Sequence, residues 1–258
     1  MRPSILRRYS FSDAAVIPLG IMVQSGFEKN DMKRGYFWKS IAVGSAIITL
    51  PLLAPQTLAF PHRQQIGLHD VRAESPLSLA QRDAIVAADQ KVARSPSGPF
   101  RQPDQDIYLT NGGWRWSWLS LGASGAFAFT RPHNDAIVVG KANPQTAQVH
   151  SSALAGRRRS LDSIVAHEMT HGSIRAHFSI TADFRYPLEL REGYCDFVGG
   201  ESTLSDQEAT KLIAEGKSHP SLSYWRGRKN VEAFMQRPGV SVTSLFEDNI
   251  RTSKNSPG

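Results

Sequence analysis

The stretch HEMTHGSIRAH, from His167 to His177, limits the folds open to this chain more than any other. His167 and His171 stand four residues apart, and an α-helix stacks residues at that spacing on one face. Glu168 follows the first histidine, turned about 100° round the helix axis. The preceding LDSIVA (161–166) offers Ile164 and Val165 as packing residues, so the pattern predicts a helix over 161–177. Two imidazoles on one face can hold a single zinc ion, and a glutamate beside them can reach water on that ion. The fold must therefore bury this helix and bring a third ligand to it.

Two candidates for the third ligand lie downstream. His177 falls six residues after His171, the distance found in the metzincin proteases, H-E-x-x-H-x-x-G-x-x-H. Their helix ends at the glycine, where this chain has Ile174, and a β-branched residue resists positive φ. Gly172 comes two residues too early. If the helix continues, His177 sits about 240° round from His171. Met235 lies in a predicted helix and makes no Met-turn. Glu192 is the other candidate, in PLELREGYCDFVGGES (187–202), a predicted helix with Leu188, Leu190, Tyr194 and Phe197 as packing residues. Glu192 and Asp196 are four apart and share a face. Glu192 is placed to reach the metal, and Asp196 to accept the outer N–H of a ligand histidine, which sets its tautomer and orientation. Glu192 is therefore expected as the ligand, and His177 on the surface or behind the site.

Together HEMTH and LREGYCD resemble the gluzincin zinc peptidases. These thermolysin-like and aminopeptidase-like enzymes carry H-E-x-x-H on one helix and an E-G-x-x-[DE]-like segment on the next. Here 20 residues separate His171 from Glu192, close to the family's loop length, and the likeness spans residues 161–202. It implies one Zn2+ held by His167, His171 and Glu192, with Glu168 as general base and Asp196 as the carboxylate behind a ligand histidine. It also implies a twisted sheet whose edge strand pairs with an extended substrate; GAFAFT and AIVVGK are both open as that edge. Gluzincins add a Tyr or His donor for the oxyanion, for which Tyr224 is the first candidate and His219 the next. Peptide deformylase also uses H-E-x-x-H, with a cysteine ligand on a segment that precedes the histidines. The only cysteine here, Cys195, follows them; it is expected turned away from the Glu192 face, as a small buried residue.

The net charge of +7 does not mark a nucleic-acid binder. Residues 1–59 hold seven Lys/Arg against three Asp/Glu, which leaves +4 there and +3 in the rest. The one basic run, Arg157-Arg158-Arg159, is too short for a nucleic-acid footprint and reads as a solvated loop. A single cysteine forbids an internal disulfide. Ser40 to His62 contains no Asp, Glu, Lys or Arg, and Lys33, Arg34 and Lys39 precede its apolar core, IAVGSAIITLPLLA (41–54). With Thr57 and Ala59 at a possible cleavage site, this is the layout of a secretory signal, beginning at Met32. An uncleaved anchor through residues 41–60 is the alternative, although Pro51 and Pro55 sit awkwardly in a spanning helix.

The expected organisation is an export segment (1–59), a leader with one helix (60–104) and a zincin-like domain (105–258). The leader helix covers 77–94, with Leu79, Ile85, Val86 and Val92 near helical spacing. DIYLT, WRWSWLSL, GAFAFT and AIVVGK read as strands, with Trp114, Trp116 and Trp118 on one face. A loop to about 160 follows, then helices over 161–177, 187–202, 206–216 and 224–237. The fold class is α+β: a small twisted sheet, the H-E-x-x-H helix and a helical C-terminal part. The function implied is zinc-dependent peptide-bond hydrolysis in the cell envelope (periplasm) or outside the cell, on a peptide or protein substrate. The alternative is a non-catalytic zinc-binding envelope module.

Overall fold

The computed structural model describes residues 37–46, 49–101, 104–121, 123, 125–151 and 156–255. The chain divides into two compact units, 1–49 and 50–258. In the first, residues 37–46 are helical; Met32, with Lys33 and Arg34, lies outside the described residues. Among the described residues no helix is long and apolar enough to cross a membrane.

The second unit is α+β. Its larger sheet contains β1 (His62–Ile66), β2 (His69–Ala73), β3 (Ile107–Leu109), β4 (Ala128–Thr130) and β5 (Ile137–Val139), in the order β1-β2-β3-β5-β4. The outer pairs, β1–β2 and β5–β4, are antiparallel, and the inner ones parallel. A parallel β2–β3 pair needs a long crossover. Helix α1 (Leu79–Arg94) supplies it, started by a capping box between Ser78 and Gln81. The buried stripe of α1 is Gln81, Ile85, Ala88 and Val92, while Leu79 and Val86 face solvent. The segment set apart in sequence as a leader thus gives two strands and a core helix to the same unit as the histidines.

DIYLT, GAFAFT and AIVVGK contribute β3, β4 and β5, but WRWSWLSL is no strand. It forms a short helix, α2 (Trp114–Leu119), with Trp116 and Leu119 buried and Trp114 and Trp118 exposed. Alternating tryptophans satisfy a period of two in sequence, yet residues three apart meet the core here, as on a helix. The loop expected up to residue 160 contains an antiparallel sheet of β6 (Lys141–Asn143), β7 (Gln148–His150) and β8 (Arg158–Ser160). Strands of three residues are too short to show a period.

The remaining helices are α3 (Leu161–Phe178), α4 (Ala182–Arg185), α5 (Leu188–Gly199), α6 (Asp206–Ala214), α7 (Ser221–Met235) and α8 (Val242–Asn255). The last has no counterpart in the sequence reading. Helix α3 is central: 13 of its 18 residues are buried, and it packs on α1, α5 and β4. Two glycine contacts bring α5 tightly against its neighbours. A Cβ on Gly193 would stand 2.3 Å from the carbonyl carbon of Gly227 in α7, and one on Gly199 would stand 2.8 Å from the carbonyl oxygen of Ser163 in α3. With side chains there the helices could not approach so closely.

Candidate metal centre

Helix α3 runs unbroken through Ile174 to Phe178, which keeps His167 and His171 one turn apart on the same face. Gly199 lets α5 lie against α3, and the carboxylates of α5 then meet the histidines. Glu192 spans the two rings: its Oε2 is 3.3 Å from His167 Nε2 and its Oε1 is 3.5 Å from His171 Nε2. Asp196, one turn on, has Oδ1 2.9 Å from His167 Nδ1. An ionised carboxylate can only accept, so His167 donates its Nδ1–H and leaves Nε2 facing Glu192.

Charge inside this cluster is strongly coupled. Burial opposes a charged His167, but hydrogen bonds with Asp196 and Glu192 raise its pKa to about 10. Burial also opposes ionised Glu192, yet the charges of His171 and His167 and the His167 hydrogen bond hold it at about 2. His171 shifts down, through burial first; a metal would need both imidazoles neutral, so its binding would displace a proton from His167. Asp196 shifts down despite burial, because His167 and Arg159 stand beside it.

Arg159 is a residue the sequence reading missed. Its buried guanidinium lies 3.0 Å from Asp196 Oδ1 and donates to the Glu201 carbonyl at 2.7 Å. Within the basic run, Arg158 is exposed and Arg157 pairs with Glu208 at 3.0 Å. Strand alternation in β8 turns only Arg159 inward; no signal in three consecutive arginines marks it. Thr130 was missed too. Its hydroxyl sits 2.6 Å from Glu168 Oε2 and 2.9 Å from the Glu168 carbonyl oxygen.

A cavity of about 490 Å³ opens onto this cluster. His167, Glu168, His171, Glu192, Asp196 and Tyr224 all line it. Tyr224 is brought there by α7, held close to α5 at Gly193 and Gly227; burial, then the charges of Glu192 and Asp196, push its phenol pKa up. His177 is elsewhere: its Nε2 lies 2.8 Å from Thr243 Oγ1 and its ring stacks on Phe100 at 3.8 Å. His219 is engaged by the start of α7, its Nδ1 accepting from the Ser221 N–H at 3.1 Å. Residues 126–130 form one wall of the cavity. They include β4, the outer strand of the sheet, whereas β5 lies between β3 and β4. Of the two strands left open by sequence, the edge belongs to GAFAFT.

Cys195 departs from its expected orientation. Among the described residues, His167, His171 and Cys195 offer ligand atoms all within 4.8 Å of one another. Two donor sets are therefore available, one closed by Cys195 and one by Glu192. The thiol is fully buried and does not line the cavity. Burial, then the charge of Glu192, pushes its pKa well up, away from the thiolate that binds metals. Glu192 faces the cavity as a carboxylate. Such donors could hold a zinc ion, and of the two third donors Glu192 is the one held ionised and on the cavity side.

Comparison with protein-family models, curated protein sequences and solved structures returns no match.

Proposed function

We propose that this chain is a zinc-dependent peptide hydrolase with a gluzincin-like site, acting in the cell envelope or outside the cell. One observation carries the reading. Glu192 reaches both histidine Nε2 atoms on the cavity side, while Asp196 takes the outer nitrogen of His167. His167, His171 and Glu192 would hold the ion, and Asp196, with Arg159 behind it, would keep His167 turned toward it. A zinc ion in such a site supplies Lewis acidity and brings the pKa of a bound water toward about 7.

Glu168 is the base in this reading. The Thr130 hydroxyl steadies its carboxylate at 2.6 Å, at the wall of the cavity. It takes a proton from the attacking water and returns it to the departing amine. Tyr224 is the candidate donor for the carbonyl oxygen as negative charge grows on it. The unpaired side of β4 offers backbone groups to an extended peptide laid along the cavity. The envelope location rests on the basic flank and uncharged run of residues 33–62.

The test is metal content and turnover of the purified full chain. Wild type and Glu168→Gln are expected to hold one zinc each. Glu192→Ala is expected to lose it, and His177→Ala and Cys195→Ser to keep it. Hydrolysis of a casein or peptide-library substrate should fall about 10²- to 10⁴-fold in Glu168→Gln. Undiminished hydrolysis in Glu168→Gln, or zinc lost with Cys195 and kept without Glu192, would sink the assignment.

A further inference from the structure

Among the acid-free stretches of the chain, two come together in the structure. Ser40 to His62 has no charged residue, and between Asp106 and Asp135 the only charges are Arg115 and Arg131. The second stretch includes α2 and three of the five tryptophans. Trp114 and Trp118 are four apart and share one face of α2, and Leu121 follows just past the end of the helix. They are 59%, 38% and 67% exposed, while Trp116 and Leu119 turn into the core. Monomeric soluble proteins scatter single exposed apolar side chains but seldom line them up.

The structure fastens the two stretches together within the second unit. Arg115 donates to the carbonyls of Leu58 and Ala59 at 3.0 and 3.2 Å. The His133 ring and the Asn134 amide reach the Leu53 carbonyl at 2.7 and 3.4 Å. Leu58 and Phe60 pack on the buried side of α2, with Trp116 and Leu119. Leu50 and Leu53 remain exposed. Glu74, the acid that reaches this region, is tied by Arg115 at 3.0 Å, and the same guanidinium lies over the Trp114 ring at 4.6 Å.

We infer that the exposed face of α2 is a docking surface for a lipid bilayer. Tryptophan has an apolar body and one N–H donor, which suits the headgroup layer. Leu121, Leu50 and Leu53 supply apolar area for the acyl boundary. The occupant is fixed by continuity: the run 40–62 has the composition of a lipid-contacting segment, and its last residues are bound to α2. Within the second unit, residues 50–62 are held beside α2, so a membrane that receives them also meets the α2 face. Among the described residues the acid that reaches that face, Glu74, is paired with Arg115, which spares the face repulsion from anionic lipids.

The test uses the full chain and vesicles of equal phosphatidylcholine and phosphatidylglycerol, with bromine on the acyl chains as a contact quencher of tryptophan. Wild type, Trp38→Phe and Trp114→Phe/Trp118→Phe are compared, with matched circular dichroism and melting. Wild type and Trp38→Phe should both be quenched. The double variant should lose more than half of that quenching. In wild type the quenching should be strongest when bromine lies near the carbonyl end of the acyl chain. Equal quenching of wild type and double variant would overturn the inference, because residues 40–62 would then hold the chain alone. Absence of vesicle binding would also overturn it. So would self-association without lipid, seen by sedimentation, that shields Trp114 and Trp118, since a second copy would then own the face.

Discussion

Helices α3 and α2 invert each other. In α3, polar and ionisable side chains sit inside: His167, Glu168 and Arg175 are all buried. In α2, large apolar side chains sit outside: Trp114 and Trp118 face solvent. Exposed leucines or surface charges would be unremarkable; buried polar groups and aligned exposed aromatics are the informative cases. Each inversion has a cost that the surroundings must offset. In α3 the buried groups are partnered: His167 by Asp196, Glu168 by Thr130, and Arg175 by Asp135 and Asp183. In α2 the described contacts leave the tryptophan stripe facing water. The first pattern is the basis of the proposed site inside the molecule, the second of the proposed surface for something outside it.

The comparison can be broken at four points. The largest effect is expected at Trp116, the buried member of the α2 trio, which stacks on Phe129 at 5.5 Å. Trp116→Ala should cost about 3–5 kcal/mol of stability, read by denaturant unfolding. A small loss there would mean that α2 is not anchored to the core. Next comes Gly193→Ala, whose new Cβ would press on the α7 backbone. A loss of about 1–3 kcal/mol is expected from overpacking; a thermal melt unchanged from wild type would contradict the close α5–α7 contact. Third, Asp196→Asn keeps the size of the side chain but removes the charge between Arg159 and His167. Zinc affinity should fall about 10- to 100-fold with the fold intact, measured by competition with a chelator. The smallest effect belongs to Trp114→Ala. Without lipid it should change stability by no more than about 0.5 kcal/mol, and a larger loss would show that the exposed stripe is structural.

Much of the geometry of the candidate site was legible because it is helical and local. His167 and His171, and again Glu192 and Asp196, are each one turn apart, and 3.6 residues per turn places such pairs without any knowledge of the rest. Ile174 in place of a glycine argued that α3 continues, and it does. The helices over 188–199, 206–214 and 221–235 were legible for the same reason. What failed depended on contacts between distant residues. WRWSWLSL has the alternation of a strand, but Trp116 and Leu119 meet the core as a helix. β1 pairs with β2, and β6 with β7 and β7 with β8, across short connections, while β2 also pairs with the distant β3; backbone pairing, not a periodic pattern, makes these short segments strands. Arg159 and Thr130 reach the site from β8 and β4, so no spacing near the histidines points to them.

The order of residues alone determined which side chains share a face, two imidazoles on one helix and two carboxylates on another, and that the one cysteine can form no internal disulfide. That is short-range geometry, set by the helical repeat. Tertiary structure decided what those faces meet. The glycine contacts bring α5 against α3 and α7, so Glu192 closes on both imidazoles and Cys195 turns toward them rather than away. Sheet order makes β4, not β5, the edge beside the cavity. The reason is that packing distance and strand order depend on side-chain volume and pairing across the whole chain, which a local repeat does not encode.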